Sequence, residues 1–386
     1  MRKDWEYKKL GECFHYIKNG ANIKQVKGAG GYPITRIETL SGGVFNRNRM
    51  GYADVYDIEK YQDYILENGD LLLSHINSKS YIGRTVEYRS RNTEIIIHGM
   101  NLLRIKNNSD VISSSFFAYY ANSHKFKSDI ARIRKDAVNQ SSLSITDLKK
   151  IHVPLPPKPT QLAIVAELDK INELIQLKKQ QLKDYDQLAQ SIFYEMFGDP
   201  VENEKGWEVK KLGEVTIYPN ERISIEDIQS NQYIGVENLL KNKAGVSFSN
   251  QLPNATSAIY FSFNDILLGN IRPYLKKIWL SDTIGGASGD VIVIRISSNK
   301  VLPMYLFKLL STDTFFDYDN LNTKGAKMPR GDKKVIAKFP VPLPPLPLQQ
   351  QFAARIEAIE RQKQQVSETI KDLETLLASR MQYWFD

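Results

Sequence analysis

Two copies of one unit lie end to end in this chain, and that duplication constrains its fold more than any other feature. WEYKKLGE at 5–12 returns as WEVKKLGE at 207–214, and VPLPPKPTQ at 153–161 returns as VPLPPLPLQ at 341–349. Weaker echoes keep the same order between these anchors. GDLLLSHI at 69–76 is answered by NDILLGNI at 264–271, ITRIETL at 34–40 by YIGVENL at 233–239, and FFAYYANSHKF at 116–126 by MYLFKLLSTDTF at 304–315. A repeat of this kind marks one structural unit used twice. Each copy has a globular part, a proline-rich hinge and a charged segment. The boundaries read as 1–152, 153–198, 199–340 and 341–386.

After each hinge the apolar residues fall at alternating three- and four-residue spacing, the seam of a coiled coil. Over 160–197 they are Ile164, Leu168, Ile171, Ile175, Leu182, Tyr185, Ala189, Ile192 and Met196, interrupted at Lys178. In the second copy they are Phe352, Ile356, Ile359, Val366, Ile370, Leu373, Leu377 and Trp384, interrupted at Lys363 and Arg380. Both segments are rich in strong helix formers. The PLPP before each enforces an extended approach, and Gly198 with Asp199-Pro200 stops the first helix. A lone apolar seam in water is unstable, so the two helices are expected to pair, antiparallel if the halves are alike. Packing of each helix on its own globular domain is the competing reading.

Within the globular parts, Asp70–Leu73, Glu94–Ile97, Leu102–Ile105, Asp265–Leu268 and Val291–Ile296 read as strands between Gly, Asn and Ser turns. The stretches 113–126 and 303–316 read as short helices, and Gly-Gly-Ala-Ser-Gly at 285–289 reads as a turn. The fold class is therefore mixed α/β (α+β): two globular domains, each followed by a long helix, with the helices pairing as an antiparallel coiled coil.

The chain has 386 residues and one cysteine, Cys13, which excludes a disulfide framework and a cysteine zinc cluster and fits a reducing, cytoplasmic setting. No apolar run approaches the roughly 20 residues that span a bilayer, and MRKDWEYKKL has no apolar core of a signal peptide. The net charge of +8 is concentrated. Residues 1–150 hold 24 Lys and Arg against 16 Asp and Glu, whereas 199–338 hold 18 against 16. Such an excess is compatible with a polyanionic partner.

Motifs for catalysis are missing from the sequence. There is no phosphate loop ending in Gly-Lys-Ser/Thr and no Asn/Asp-Pro-Pro-Tyr/Phe tetrapeptide of amino-methyltransferases. The five histidines (His15, His75, His98, His124 and His152) never fall four residues apart. Glu208 and Lys210 with upstream Asp199 could be imagined as a metal-binding nuclease set. Asp199 lies in a helix-terminating turn, however, so a structural charged edge is the better reading.

The order WEVKKLGEV, a variable domain, VPLPP with Gln following, and a long helix ending in MFGDP resembles the specificity subunit of type I restriction–modification enzymes. FGDPVENEKGWEVKKLGEV at 197–215 is similar to that family's junction between its first helix and second recognition domain, and VNQSSLSITDLKKIHVPLPP at 138–157 to the end of a recognition domain. The resemblance covers essentially the whole chain. It departs at one place: AVNQSSLS at 137–144 faces GAKMPRGD at 325–332, so these two loops are expected not to be equivalent. The resemblance implies a non-catalytic subunit whose two α/β domains each read half of a split site in double-stranded DNA. The helices would set the gap between the halves and dock two methyltransferase subunits. Those subunits carry the S-adenosylmethionine and methylate adenine, this chain binding no cofactor or metal; a motor-nuclease subunit joins for restriction. A paired-helix scaffold binding protein or RNA remains the alternative from another class.

DNA contact needs basic and amide side chains on exposed loops. In the first domain the candidates are Lys24, Lys27, Arg47, Asn48, Arg49, Lys79, Tyr81, Arg84, Arg134, Lys135, Asn139 and Gln140. In the second they are Arg272, Tyr274, Lys276, Lys277, Lys324, Lys327 and Arg330. Asn48, Arg84, Arg272 and Arg330 are the expected base readers. The segments 74–84 and 269–277 occupy equivalent places after matching strands.

Overall fold

The structure, a computed structural model, describes residues 5–23, 30–138, 140–321, 323 and 328–386. By internal packing the chain divides into two units, one formed by 1–178 with 369–386 and the other by 179–368. Each unit thus holds one globular domain and a segment of both long helices.

The first unit is built on a four-stranded antiparallel sheet in the order Tyr16–Asn19, Leu102–Lys106, Leu71–Ser74, Thr85–Glu87. The central Leu-Leu-Leu-Ser is buried on both faces, so it reads as a continuous apolar run rather than an alternating one. Helix α1 (Ser114–Ala121) and helix α2 (His124–Ile133) cover the sheet. The second unit repeats this order with Thr216–Ile217, Val291–Ile296, Ile266–Gly269 and Ile278–Leu280.

The two sequence anchors of each copy turn out to be strand partners. Glu6–Lys9 lies antiparallel to His152–Leu155, with Lys8 opposite Val153. Val209–Lys211 lies antiparallel to Pro340–Pro342, with Lys210 opposite Val341. The prolines cost little there because these ribbons have only two strands, and an edge strand can do without some ladder donors.

Helix α3 (Lys158–Phe197) and, after it in sequence, helix α4 (Pro303–Leu310), helix α5 (Asp313–Leu321) and helix α6 (Leu346–Phe385) complete the helical set used below. In the first unit the start of α3 meets the end of α6: Arg380 forms an ion pair with Glu167, and Trp384 Nε1 donates to Glu167 Oε2 at 3.1 Å. Arg380 holds the Glu167 carboxyl below its usual range. In the second unit the end of α3 meets the start of α6, with Phe197 and Phe352 ring centroids 5.1 Å apart and Lys363 Nζ 2.7 Å from Asp186. The helices therefore run antiparallel in both units. The cations Lys363 and Arg380 that interrupt the seam reach across it to carboxylates on the other helix.

The competing reading also holds in part. Ile164 and Leu168 share one core with Leu10, Phe116 and Phe385, and Phe193 and Phe197 share another with Tyr305 and Phe339. Ile164 and Leu168 are themselves seam positions, whereas the end of α3 buries a second stripe against the domain of the second unit. Phe193 and Phe197 belong to that stripe, whereas the seam positions Ile192 and Met196 are only half-buried.

Two local expectations are corrected and one is refined: the stretches 113–126 and 303–316 are short helices as expected, two in each. Ser123 and Thr312 break them, their hydroxyls accepting from the amides of Phe126 and Phe315 as N-caps. Glu94–Ile97 is not a strand; only Ile97 bridges, to Ile34 and to Ile65, and Glu94 is drawn to Arg47. Gly285–Ala287 is a strand rather than a turn, between Ser257–Phe261 and Tyr233–Ile234. A Cβ on Gly285 would lie 2.0 Å from Gln232 O and one on Gly286 2.6 Å from Ala258 Cβ, so the glycines serve close backbone approach.

Candidate nucleic-acid interface

In each copy the chain leaves the central strand into a polar loop. That loop is fastened to the segment preceding the hinge. In the first unit Ser142 pairs with Ile76 and Ser141 with Asn77, and Leu143 N donates to His75 O at 2.9 Å. In the second, Arg330 bridges Ile271, Arg272 N donates to Pro329 O at 2.8 Å, and Gly331 N donates to Asn270 O at 3.1 Å. Under the sequence alignment these are the same positions. The expectation that AVNQSSLS and GAKMPRGD are not equivalent is therefore corrected for their backbones over 328–332. The fastening uses N–H and C=O groups, which every non-proline residue carries whatever its side chain.

Beside the first edge lies a cleft of about 450 Å³. Lys79, Arg84, Lys127 and Arg134 line it, with Gly42 and Gly43, and among the described residues no carboxylate does. Helix α2 positions two of these cations. Its buried residues Phe126 and Ile130 turn Lys127 and Arg134 toward the cleft. Gly83, at φ +79°, lets the loop approach: a Cβ there would meet Ile130 Cγ2 at 2.8 Å. The Arg84 guanidinium lies 4.5 Å from the Tyr81 ring centroid and donates to Leu40 O at 3.3 Å. At the rim, Asp136 accepts from Ser141 Oγ at 2.6 Å, Lys79 Nζ at 3.0 Å and Arg134 Nε at 2.7 Å, and those contacts hold its carboxyl well below the usual range. Lys127 was missed in the sequence. The signal that would have found it is the helical period of Phe126 and Ile130 just before Arg134.

The other candidates divide. Asn48 and Arg49 are exposed, as are Lys135 and Gln140. Arg47 is instead folded inward: its Nε lies 2.8 Å from Glu94 Oε2, its Nη2 donates to Arg89 O at 2.8 Å, and it stacks near Phe45 and Tyr88. The Arg47 hydrogen bonds pull the Glu94 carboxyl down to about 2. In the second unit Arg272 and Tyr274 are exposed, with Arg272 at φ +52°, a conformation that costs energy for a residue with a Cβ. Arg330 is exposed and 3.0 Å from Asp290. Lys276 is committed to Asp313 at 2.8 Å, and Lys277 Nζ donates to Val236 O at 2.5 Å. Lys24, Lys27, Asn139, Lys324 and Lys327 lie outside the described residues. Asp199 caps its own turn, accepting from Val201 N at 2.8 Å, and Glu208 lies 3.4 Å from Lys300; both have structural employment.

Under the second edge sits Asp319, 2% exposed, whose Oδ1 has no hydrogen-bond partner among the described residues. Burial pushes its carboxyl up to about 6. Its native form binds protons more tightly than the unfolded chain, so stability falls as pH rises from about 4 through 6 and is level above. Asp319→Asn is expected to stabilise the protein by up to about 3 kcal/mol at pH 7.5 and by only about 0.5 kcal/mol at pH 4. Denaturant melts at the two pH values check this; an equal gain at both would refute the linkage.

Two polar edges of the same backbone construction are thus carried on duplicated domains, each followed by a long helix. The comparisons agree. The pattern of the type I restriction modification DNA specificity domain matches residues 2–184 and 204–375, and the chain belongs to that family. Its function is DNA target recognition in a type I restriction–modification system. It is 29% identical to the putative type I restriction enzyme MjaX specificity subunit of Methanocaldococcus jannaschii, over 97% of this chain and 93% of that one. The MjaVIII specificity subunit of the same organism is 22% identical, over 97% and 92%. Among solved structures, a chain of a type I restriction–modification system superposes with a TM-score of 0.58 at 15% identity, covering 100% of this chain and 98% of that one. The S subunit from M. genitalium gives 0.55 at 14%, covering 98% and 95%. Among the described residues no helix is long and apolar enough to cross a membrane.

Proposed function

We propose that this chain is the non-catalytic reader of its complex: each globular domain contacts one half of a bipartite duplex target, and the chemistry is done by other subunits. The observation that carries this reading is the shared construction of the two edges, Ser142 on Ile76 and Arg330 on Ile271. In the first domain the cleft cations Arg84, which the sequence offered as a base reader, and Lys127 hold backbone phosphates, and the exposed Asn48 and Arg49 lie on a neighbouring segment. In the second, Arg272 and Arg330 reach base edges, Arg330 leaving Asp290 for the DNA. Arginine suits that task because its planar fork meets a guanine edge bidentately.

Two methyltransferase subunits dock on the long helices, where Leu162, Leu177 and Leu188 of α3 are left exposed. S-adenosylmethionine binds to those subunits, a motor-nuclease subunit joins for restriction, and the complex works in the cytoplasm. The absence of catalytic motifs from the sequence supports the division of labour. Purified chain mixed with labelled S-adenosylmethionine and duplex DNA is expected to transfer no methyl groups, and transfer should begin when the methyltransferase partner is added. Sustained transfer by the chain alone would overturn the reading.

A further inference from the structure

Each long helix begins with a glutamine that the hydrogen-bond scheme singles out. Gln161 is 1% exposed and lies in the first turn of α3. Its Nε2 donates to Pro156 O at 3.0 Å and to Val111 O at 3.3 Å, and its Oε1 accepts from Ser113 N at 2.8 Å. Gln349 is fully buried in the first turn of α6 and does the same. Its Nε2 donates to Pro344 O at 2.8 Å and to Lys300 O at 2.9 Å, and its Oε1 accepts from Leu302 N at 2.8 Å. Within each unit one side chain therefore ties three pieces together: the helix that bears it, the proline hinge, and the domain loop leading into α1 or α4.

Further along the helices the polar contacts diverge. In the first unit Tyr119 of α1 donates to Asp169 at 2.6 Å and accepts from Asn172 at 3.0 Å. In the second, Lys308 of α4 lies 3.1 Å from Glu360. By alignment Lys308 stands where Tyr119 does and Glu360 where Asn172 does. The chemistry of that joint has changed between the copies while the glutamine and all three of its bonds have not. Those bonds go to backbone atoms, so the clamp accepts any domain whose loop has this course. Side-chain amides also suit the hinge, since Pro156 and Pro344 offer carbonyl acceptors and no N–H. Cutting the clamp leaves the buried proline carbonyl, a half-buried loop carbonyl and a half-buried loop amide without this partner, which favours a shift of the hinge that lets water reach them.

We propose that Gln161 and Gln349 are positioning residues, each locking its recognition domain at one angle on its spacer helix and thereby holding the gap between DNA half-sites to a single length. The proposal rests on the reading of this chain as the DNA reader. It is tested in cells carrying the full complex, by sequencing methylated adenines genome-wide. The wild type should give one two-part motif with one spacer length. Gln161→Met keeps the side chain's length without its hydrogen bonds. It should methylate sites whose spacer differs by one base pair at about a tenfold higher frequency, equivalent to roughly 1.4 kcal/mol, with both half-site sequences unchanged. Leu168→Ala, which opens a cavity in the same helix without touching the hinge, should lower the melting temperature and keep the single spacer.

Retention of the single spacer by Gln161→Met would overturn the proposal. Equal relaxation by Leu168→Ala, or an altered half-site sequence in Gln161→Met, would do so as well. If Gln161→Met does not fold, Gln349→Met puts the same question to the other clamp. A wild type with no two-part motif would instead sink the DNA-reading assignment itself.

Discussion

Replacing residues 1–152 by the corresponding domain of a relative with another target is expected to exchange one half of the methylated motif completely and leave the other half untouched. The structure says why the graft should dock. The entering strand Glu6–Lys9 lies within the repeated anchor WEYKKLGE, and it pairs with His152–Leu155 at the hinge through backbone bonds. Gln161 receives the domain loop at backbone atoms of Val111 and Ser113. What the graft must match is the apolar surface facing Ile164, Leu168 and Phe385, for which it must present the equivalents of Leu10 and Phe116. Mapping methylated adenines in cells carrying a folded chimera decides the matter. Alteration of both halves together would show that the domains do not read independently.

The second large effect is electrostatic. Arg84→Ala with Lys127→Ala removes two cations from the first cleft, and DNA affinity of the assembled complex should fall about 10- to 100-fold near physiological salt. The slope of log affinity against log salt should flatten by about 1.8, since each lost phosphate contact removes roughly 0.9. The pair Lys276→Ala with Lys277→Ala removes as much formal charge from the second domain. Those lysines are held by Asp313 and by the Val236 carbonyl, so their loss should change the slope by less than about one. Binding titrations between about 50 and 200 mM salt, over which the Debye length roughly halves, separate the cases. An unchanged slope in the first pair would remove the cleft from the interface.

Much of the architecture was legible because it is written in local periods. The two copies, the extended hinges and the apolar seams need only nearest-neighbour spacing to be recognised, and the helices over Lys158–Phe197 and Leu346–Phe385 follow. The seam's interruptions at Lys363 and Arg380 were visible too. Their partners Asp186 and Glu167 were not, because those pairings join residues far apart in sequence. The same limit explains Gly285 and Gly286. Locally they read as a turn, and only the approach of Gln232 and Ala258 makes them a strand.

The candidate site divides along the same line. Sequence alone determined which loops are basic, that they fall after matching strands, and that the domains come as a pair. Whether a given cation faces outward depends on what the fold brings beside it. Arg47 and Arg84 look alike in the sequence, yet Glu94 draws the first inward while the second lines the cleft with Lys79, Lys127 and Arg134. A carboxylate 47 residues away in the chain settles the fate of Arg47, because charge pairing acts through space within a few ångströms and is indifferent to sequence distance. The same holds for the two loops before the hinges: their side chains differ, but tertiary structure gives their backbones one hydrogen-bonded course, since amide and carbonyl groups pair by position rather than by residue type.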